Sequence, residues 1–284
     1  MSKAREGANV GSERFTIRPA VADDISQMSD VLQRAGLASG GPRFLEFSLA
    51  SANAQIFIGC QGERVVGVAC GVAFGPTGWL GNVAVEEDLR GQGLGRALSA
   101  KAVDGLRQAG VETVLLTATK LGQPIYERLG FADDGVSYGV WDRSSTPNFA
   151  CDPSATVQAA AIDDVLEQDA AATGEDRRSY LTPFAGQARV PAGKQQSGYW
   201  MALPWGGGPV IAANPASARP LILEMLRASP GSRLVFPESN THGAALAVSL
   251  GFHLLRSVRR MRLGPPVAGY RPGTIYNVFS LGIG

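Results

Sequence analysis

The sequence of 284 residues is poor in the features that mark several large classes of protein. It holds three cysteines, too few for a disulfide framework, and two histidines. Its 26 lysines and arginines nearly balance its 25 aspartates and glutamates, for a formal net charge of +1. We therefore expect no general attraction to nucleic acid or to an anionic membrane. No apolar run approaches the roughly 20 residues of a membrane span.

Targeting signals are equally scarce. The first dozen residues are polar and lack the apolar core of a secretory signal, which predicts a mobile tail and a cytoplasmic protein. Cys60 and Cys70 fall on two predicted neighbouring strands and are interpreted as small apolar fillers. The length is about twice that of an ordinary domain, and 45% hydrophobic residues suffice for two cores.

What the sequence does contain is a strand, a glycine-rich loop and a helix in direct succession. Residues 79–85 are an apolar strand, and the acidic residues 86–88 follow as a turn. Glycines then alternate with Gln92 and Leu94 before a helical pattern begins. The helix stripe recurs every four residues, and Gly110 stands where a C-terminal cap is expected. Its members are Leu94, Leu98, Ala102 and Leu106.

A loop of this kind captures anions. The first amides of a helix have no partner inside it, and the helix dipole adds positive potential there. Glycine lets the backbone approach a phosphate because it has no Cβ atom. Arg90 and Arg96 flank the loop with cationic donors. The stretch therefore predicts a site for a ligand that carries a diphosphate.

The glycine spacing decides between the common diphosphate sites. A dinucleotide fold needs G-x-G-x-x-G, whereas Gly91, Gly93 and Gly95 give G-x-G-x-G, which argues against a dinucleotide-dependent oxidoreductase. A P-loop would end in Gly-Lys-Ser/Thr, and this loop ends in Leu-Gly-Arg. Residues 90–95 instead resemble the Arg/Gln-x-x-Gly-x-Gly/Ala coenzyme A loop of the GNAT N-acetyltransferase superfamily. Residues 124–131 (Pro-Ile-Tyr-Glu-Arg-Leu-Gly-Phe) are similar to that superfamily's Ala-x-x-x-Tyr-x-x-x-Gly-Phe segment.

The resemblance covers residues 14–143 and extends to the predicted order of elements: strand, two helices, three strands, helix, strand, helix, strand. It implies an α/β (α+β) fold with a mixed central sheet flanked by helices, and acetyl-CoA as cofactor. The pantetheine arm would lie along the fourth strand and the pyrophosphate on the loop amides. Thr119 stands where many members have a cofactor-binding asparagine. The implied cofactor contacts are Val83, Ala84, Val85, Arg90, Gly91, Gln92, Gly93, Leu94, Gly95, Arg96 and Thr119.

The resemblance also implies the catalytic groups. Tyr126 falls on the position whose hydroxyl protonates the departing thiolate in many members, and a core aromatic is the alternative interpretation. The backbone N–H near Val83 is the implied oxyanion donor. Some members carry a basic glutamate on the fourth strand, but residues 78–85 have no carboxylate. Glu46 and a chain of waters are the remaining candidates for the general base, and a solvated helix face is the more frequent role for a residue such as Glu46.

After a linker (residues 144–153), residues 154–284 look like a degenerate repeat of the first half. Residues 129–131 and 250–252 both read Leu-Gly-Phe, and a helix is predicted over residues 155–172. Residues 213–218 (Ala-Asn-Pro-Ala-Ser-Ala) replace the glycine loop, so no pyrophosphate site is expected there. The second half would serve as an acceptor wall or as a stabilising partner. The arginines at 256, 259, 260 and 262 lie on one predicted strand, of which at least one face is expected to be solvated.

The resulting prediction is an acetyl-CoA-dependent N-acetyltransferase that transfers acetyl to a primary amine in a ternary complex. A non-catalytic acyl-CoA-binding sensor is the alternative, because the general base is unassigned. The acceptor stays open among a small amine, an antibiotic, an amino acid and a protein lysine or N-terminus. No nucleic acid, membrane or metal partner is expected, and the resemblance implies a homodimer.

Overall fold

The computed structural model describes residues 15–37, 41–143, 156–193 and 197–284. The predicted linker, residues 144–153, lies outside the described residues. The first half follows the predicted order of elements. These are β1 (Thr16–Pro19), α1 (Ile25–Arg34), α2 (Gly41–Ala50), β2 (Ala54–Gln61), β3 (Arg64–Phe74), β4 (Thr77–Val85), α3 (Leu94–Gln108), β5 (Thr113–Ala118), α4 (Gln123–Glu127) and β6 (Ala132–Arg143).

The second half repeats this order and adds a final strand. Its elements are β7 (Val157–Ala159), α5 (Ile162–Thr173), α6 (Arg178–Leu181), β8 (Ala188–Pro191), β9 (Gly198–Met201), β10 (Val210–Ala212), α7 (Pro215–Ala228), β11 (Leu234–Pro237), α8 (Thr241–Ser249), β12 (Phe252–Leu263) and the added β13 (Ile275–Asn277). Strands β7–β11 are shorter than the corresponding strands of the first half. The helix predicted over residues 155–172 is wrong at its start. Val157 lies on β7, which pairs antiparallel with β8, so the helix begins only at Ile162.

The strands form two sheets that together carry both halves. One sheet has eight strands in the order β1-β2-β3-β4-β5-β12-β6-β11, and the other has five in the order β13-β10-β9-β8-β7. Neighbours are antiparallel except β4 and β5, which run parallel. Helix α3 packs on the face of the first sheet that carries Leu80, Val114 and Leu116. The opposite face packs against α1, α2 and elements of the second half.

The two long strands β6 and β12 are exchanged between the halves. Strand β12 of the second half inserts between β5 and β6 of the first, pairing Arg259 with Ala118 and also with Ser137. Strand β6 of the first half pairs in turn with β11 of the second, from Leu234–Trp141 to Pro237–Tyr138. Each half therefore places one strand between two strands of the other half, within the eight-stranded sheet.

The repeat seen in the sequence is present in the fold. Each Leu-Gly-Phe segment follows a short helix and leads into an exchanged strand, α4 into β6 and α8 into β12. Gly130 and Gly251 have φ angles of 88° and 81°, where other residues are strained. Phe131 and Phe252 are both buried. The described residues contain no helix that is both long and apolar enough to cross a membrane.

The last described residues of the second half lie beside the first half. Residues 278–284, called here the closing segment, leave β13 and pack against β4 and β5. The Val278 amide donates to the Val235 carbonyl over 2.8 Å, which joins the closing segment to β11.

Cys60 on β2 and Cys70 on β3 are buried and unpaired, and the prediction that they are apolar fillers is confirmed. Burial raises the pKa of the Cys70 thiol to about 12.

Candidate active site

Strands β4 and β5 separate at their carboxyl ends. They pair from Thr77–Thr113 to Trp79–Leu115 and no further. On the other side of β4, pairing with β3 passes from Val68–Ala84 directly to Cys70–Gly81, so Asn82 and Val83 form a bulge. Asn82 has a φ of 51°, the one positive φ outside glycine among the described residues. Beyond Trp79 and Leu115, β4 and β5 are therefore not paired with each other, and this unpaired stretch beside the bulge is called the β4–β5 gap.

Backbone groups of β4 face this gap. The Glu86 amide donates to the Val66 carbonyl of β3 over 2.9 Å. Because hydrogen-bonding direction alternates along an antiparallel strand, the polar groups of Val85 point away from β3. Its carbonyl accepts from Arg90 Nε over 3.1 Å, and its amide faces the side on which β4 has no strand partner at this point among the described residues.

The glycine loop forms an open cradle at the end of β4. Gly91 and Gly93 have φ angles of 77° and 87°, and nothing lies within 4 Å of the place a Cβ would occupy on either. The first backbone bond of α3 runs from the Ala97 amide to the Gly93 carbonyl over 3.0 Å. Several preceding amides have no acceptor among the described residues, namely those of Gly91, Gly93, Leu94, Gly95 and Arg96. A phosphate fits this cradle on geometry and on charge.

The two arginines at the loop differ in their surroundings. Arg90 is tied to the turn by its bond to Val85, and its Nη1 lies 3.9 Å from Glu87 Oε1. Arg96 is exposed, and no ion pair with it occurs in the described part of the chain. Gln92 lies between them on the exposed loop, with its Nε2 3.5 Å from the Asp88 carbonyl. Arg96 is thus the more accessible cation beside the cradle.

A buried carboxylate fixes the turn between β4 and the loop. Glu86 is 7% exposed; it accepts from Arg34 Nη2 over 2.6 Å, and Arg64 Nη2 lies 3.6 Å away. The hydrogen bond from Arg34 is the main cause that lowers the pKa of Glu86 below its usual value. The cradle is therefore anchored to α1 and β3.

Thr119 and Tyr126 lie where β5 leads into α4. Thr119 is exposed, and its Oγ1 accepts from the Gly122 amide over 3.2 Å, which leaves the hydroxyl hydrogen for another acceptor. Tyr126 is 8% exposed, with its ring against Gly122 and 6.0 Å from that of Phe131. Its hydroxyl makes no hydrogen bond within the described residues. Burial raises the pKa of Tyr126 to about 12, so the phenol stays protonated at neutral pH.

The corresponding place in the second half holds no cradle. Helix α7 begins at Pro215, which has no amide hydrogen, and Asn214 Oδ1 accepts from the Ser217 amide over 3.0 Å. Strand β13 fills the space beside β10, where it pairs Val210 with Asn277. The gap equivalent to that between β4 and β5 is thus closed by the chain itself.

Sequence reasoning missed a buried polar cluster between the halves. Asp169 and Arg177 are 1% and 3% exposed and form a two-pronged pair with contacts of 2.5 and 2.9 Å. The Tyr199 hydroxyl also donates to Asp169, and Trp79 Nε1 of β4 donates to Glu175 Oε1 over 2.8 Å. One signal was present in the sequence, because Asp169 falls on the apolar stripe of α5 between Val165–Leu166 and Ala172.

The arginines of β12 divide between solvent and interior. Arg256 and Arg259 are exposed, as the charge pattern predicts for at least one face. Arg260 is 5% exposed, bonds Asp134 over 2.8 Å and stacks 4.1 Å from the centre of the Tyr270 ring. Glu46, the candidate base, is exposed on α2. Within the described ranges, no three His, Cys, Asp or Glu side chains come together in a way that would hold a metal ion.

Family models match both halves of the chain. One family model, described as the acetyltransferase (GNAT) family, matches residues 26–131. A second, described as an acetyltransferase (GNAT) domain, matches residues 165–277. The chain belongs to the GNAT acetyltransferase family and carries two GNAT units in tandem, as the sequence predicts. Members of this family use acetyl-CoA.

Solved structures resemble the chain over most of its length. A proposed acetyltransferase from Pyrococcus horikoshii is 21% identical, with 99% of this chain and 100% of that one covered at a TM-score of 0.82. GCN5-related N-acetyltransferases from Kribbella flavida and Anabaena variabilis are 16% and 15% identical, with TM-scores of 0.53 and 0.52. The similarity to these two structures covers 90% and 88% of this chain, respectively, and 72% of each of the other chains. Identities this low establish the fold alone. The search of curated proteins returned no significant match.

Proposed function

We propose that the protein is an N-acetyltransferase that moves the acetyl group of acetyl-CoA to a primary amine in a ternary complex, with its site on the first half. The observation that carries this proposal is the glycine cradle at the mouth of the β4–β5 gap. The amides of Gly91, Gly93, Leu94, Gly95 and Arg96 have no acceptor among the described residues, and the glycines leave room for a phosphate. The domain limits 14–143 and 154–284, joined by a linker over 144–153, and a homodimer belong to the same proposal.

The cofactor contacts follow from the chain's own geometry. The amides of residues 91–96 and the Arg96 guanidinium would hold the pyrophosphate. The backbone of Val83, Ala84 and Val85 would pair with the pantetheine arm as an added strand does, because β4 has no strand partner on the gap side there. Thr119 directly follows the carboxyl end of β5, and its hydroxyl hydrogen would be donated to the pantetheine arm.

The bound thioester supplies an activated acyl carbon. Val83 has no paired partner in β3, and we assign its N–H to the oxygen on which negative charge develops during attack. Tyr126 is a protonated phenol near the same end of β5, and its proton would pass to the departing thiolate. The amine's own proton leaves through Glu46 or through solvent, and this base is unassigned.

The unassigned base keeps a second candidate in view, an acyl-CoA-binding sensor without turnover. The two differ in one measurement. The purified chain is incubated with acetyl-CoA and a panel of amines, and release of free CoA thiol is followed. Amine-dependent release that Gly93→Glu abolishes supports the enzyme. Tight acetyl-CoA binding without release for any amine supports the sensor.

A further inference from the structure

The closing segment bridges the two strands that bound the β4–β5 gap. On the β5 side, Thr117 Oγ1 donates to the Leu281 carbonyl over 2.7 Å. On the β4 side, Gly81 lies so close to Gly282 that a Cβ on Gly81 would be 2.2 Å from the Gly282 carbonyl oxygen. The segment therefore crosses the gap on the face of the sheet opposite α3.

Bonds to the second half hold the closing segment in place. Arg177 Nη1 donates to the Gly284 carbonyl over 2.8 Å, and the Phe279 amide donates to the same oxygen over 2.9 Å. Val278, Phe279 and Ile283 are buried in the shared core. Residues 280–282 are half-buried, so the part of the segment that faces the gap is its least covered part.

Gly282 stands directly over the bulge. A Cβ on Gly282 would lie 3.5 Å from Asn82 Oδ1 and 3.6 Å from the Asn82 amide nitrogen, which is ordinary contact distance. The φ of Gly282 is not positive, so a side chain there meets no backbone strain. An alanine Cβ therefore fits at this position, and a larger side chain would extend further towards Asn82.

We propose that the closing segment, through Leu281 and Gly282, sets the size of the acyl group and admits one of acetyl size. This inference rests on the proposed function, in which the pantetheine arm runs along β4 from Val85 towards Asn82. An acyl group beyond the thioester then points at the narrow end of the β4–β5 gap. Trp79 and Leu115 close that end by pairing.

Residues also border the gap on its other two sides. On the α3 face of the gap, Leu80 and Leu116 are 2% and 1% exposed and belong to a packed core. On the opposite face lie Leu281 and Gly282. A longer acyl chain would have to displace one of these groups, and close-packed interiors do not yield to extra methylenes without strain.

The test measures binding, so it needs no acceptor. The full chain is titrated calorimetrically with CoA, acetyl-CoA, butyryl-CoA and octanoyl-CoA. The wild type should bind acetyl-CoA at least about tenfold more tightly than octanoyl-CoA, a free energy difference that calorimetry resolves. Free CoA lacks the acyl group and serves as the reference ligand for every variant.

Three variants separate the closing segment from the rest of the site. Gly282→Val should weaken acetyl-CoA binding about tenfold or more and leave free CoA within about twofold, with Gly282→Ala intermediate. Thr117→Val keeps the shape of the wall but removes the bond to Leu281, and it should raise the affinity for butyryl-CoA relative to acetyl-CoA. Gly273→Val is the control, since Gly273 also has no positive φ and nothing lies within 4 Å of its Cβ position.

The outcomes are distinct. Equal binding of acetyl-CoA and octanoyl-CoA by the wild type would overturn the size limit, as would equal loss of CoA and acetyl-CoA in Gly282→Val. If Gly282→Val does not fold, Gly282→Ala and Thr117→Val decide the matter. If the wild type binds neither CoA nor acetyl-CoA, the proposed function itself fails, and the size limit fails with it.

Discussion

Trp79 donates its indole N–H to Oε1 of Glu175 over 2.8 Å, and this bond joins the strand beside the proposed site to the second half of the chain. Both residues are buried, at 1% and 5% exposure. Desolvation is the main cause that raises the pKa of Glu175 above its usual value, although Arg177 opposes it. Trp79 therefore donates to a carboxyl group that ionises only at a higher pH than an ordinary glutamate does.

Glu175→Gln should make the protein more stable than the wild type, by a margin that grows with pH. The unfolded carboxyl titrates near 4.5 and the folded one at higher pH, so the unfolded state loses its proton first. The wild-type free energy of unfolding then falls by about 1.4 kcal/mol per pH unit between the unfolded and the folded pKa, and levels off above the folded pKa. Glutamine keeps the oxygen that accepts from Trp79 and does not titrate. Urea unfolding at several pH values measures the difference.

Glu86→Gln provides a control of opposite sign for that experiment. Its folded pKa is lowered, so its stabilisation is present above pH 4.5 and is lost as the pH falls through the folded value. The Glu86→Gln variant should be less stable than the wild type at neutral pH and equal to it in acid. Parallel stability curves for wild type and Glu175→Gln would contradict the assignment of a raised pKa to Glu175.

Asp169→Asn should destabilise the fold by about 3–5 kcal/mol, because it leaves the buried Arg177 cation without its counter-charge. Asp133→Asn is the matched change at an exposed pair, where the Arg259 and Asp133 side chains are 61% and 43% exposed. It should cost less than about 1 kcal/mol. Both are measured by the urea midpoint at pH 7. A similar midpoint for the two variants would show that the Asp169–Arg177 pair adds no more than a surface pair.

Tyr126→Phe should lower kcat by about 10²–10⁴ with little change in acetyl-CoA affinity, because the change removes only the proton donor. Tyr276→Phe is the control, since burial also raises the pKa of Tyr276 to about 12 but the residue belongs to the core of the second half. It should retain activity. Steady-state kinetics and calorimetric titration together make the test, and full activity of Tyr126→Phe would reduce that residue to a packing role.

The strand exchange predicts that neither half folds without the other. Residues 1–155 alone leave β5 and β6 without β12 between them, which exposes strand edges. This fragment should be insoluble by itself and soluble when co-expressed with residues 156–284. A protease site placed in the linker gives the control, because the nicked halves should stay together on gel filtration. A soluble first half that melts cooperatively alone would contradict this prediction.

Local signals in the sequence were sufficient for the first half of the fold and for the cradle. The alternating glycines, the stripe of α3 and the cap at Gly110 are each decided by neighbours within a few residues, and the structure has them at the predicted places. The degenerate repeat was also readable, because Leu-Gly-Phe recurs at the same point of each unit.

Long-range pairing could not be predicted in the same way. Strands β6 and β12 have similar lengths and follow the same segment, so nothing local says which unit each completes. Val157 fits a helical stripe as well as it fits β7, and pairing with β8 decides the matter. The closing segment is short and glycine-rich, and its place against Gly81 and Thr117 depends on contacts across more than 160 residues.

The acetyl-CoA site is tested most directly by the thermal stability of three proteins with and without acetyl-CoA. Gly93 and Gly110 lie at opposite ends of α3, with φ angles of 87° and 85° and open space at both. Gly93→Glu and Gly110→Glu therefore carry the same backbone strain, but only the first puts bulk and negative charge into the cradle.

We expect acetyl-CoA at about 100 times its Kd to stabilise the wild type and Gly110→Glu by roughly 2.7 kcal/mol, a rise of several degrees in Tm, and to leave Gly93→Glu unchanged. An equal rise in all three proteins, or none in the wild type, would contradict the assignment of the cradle as the acetyl-CoA site.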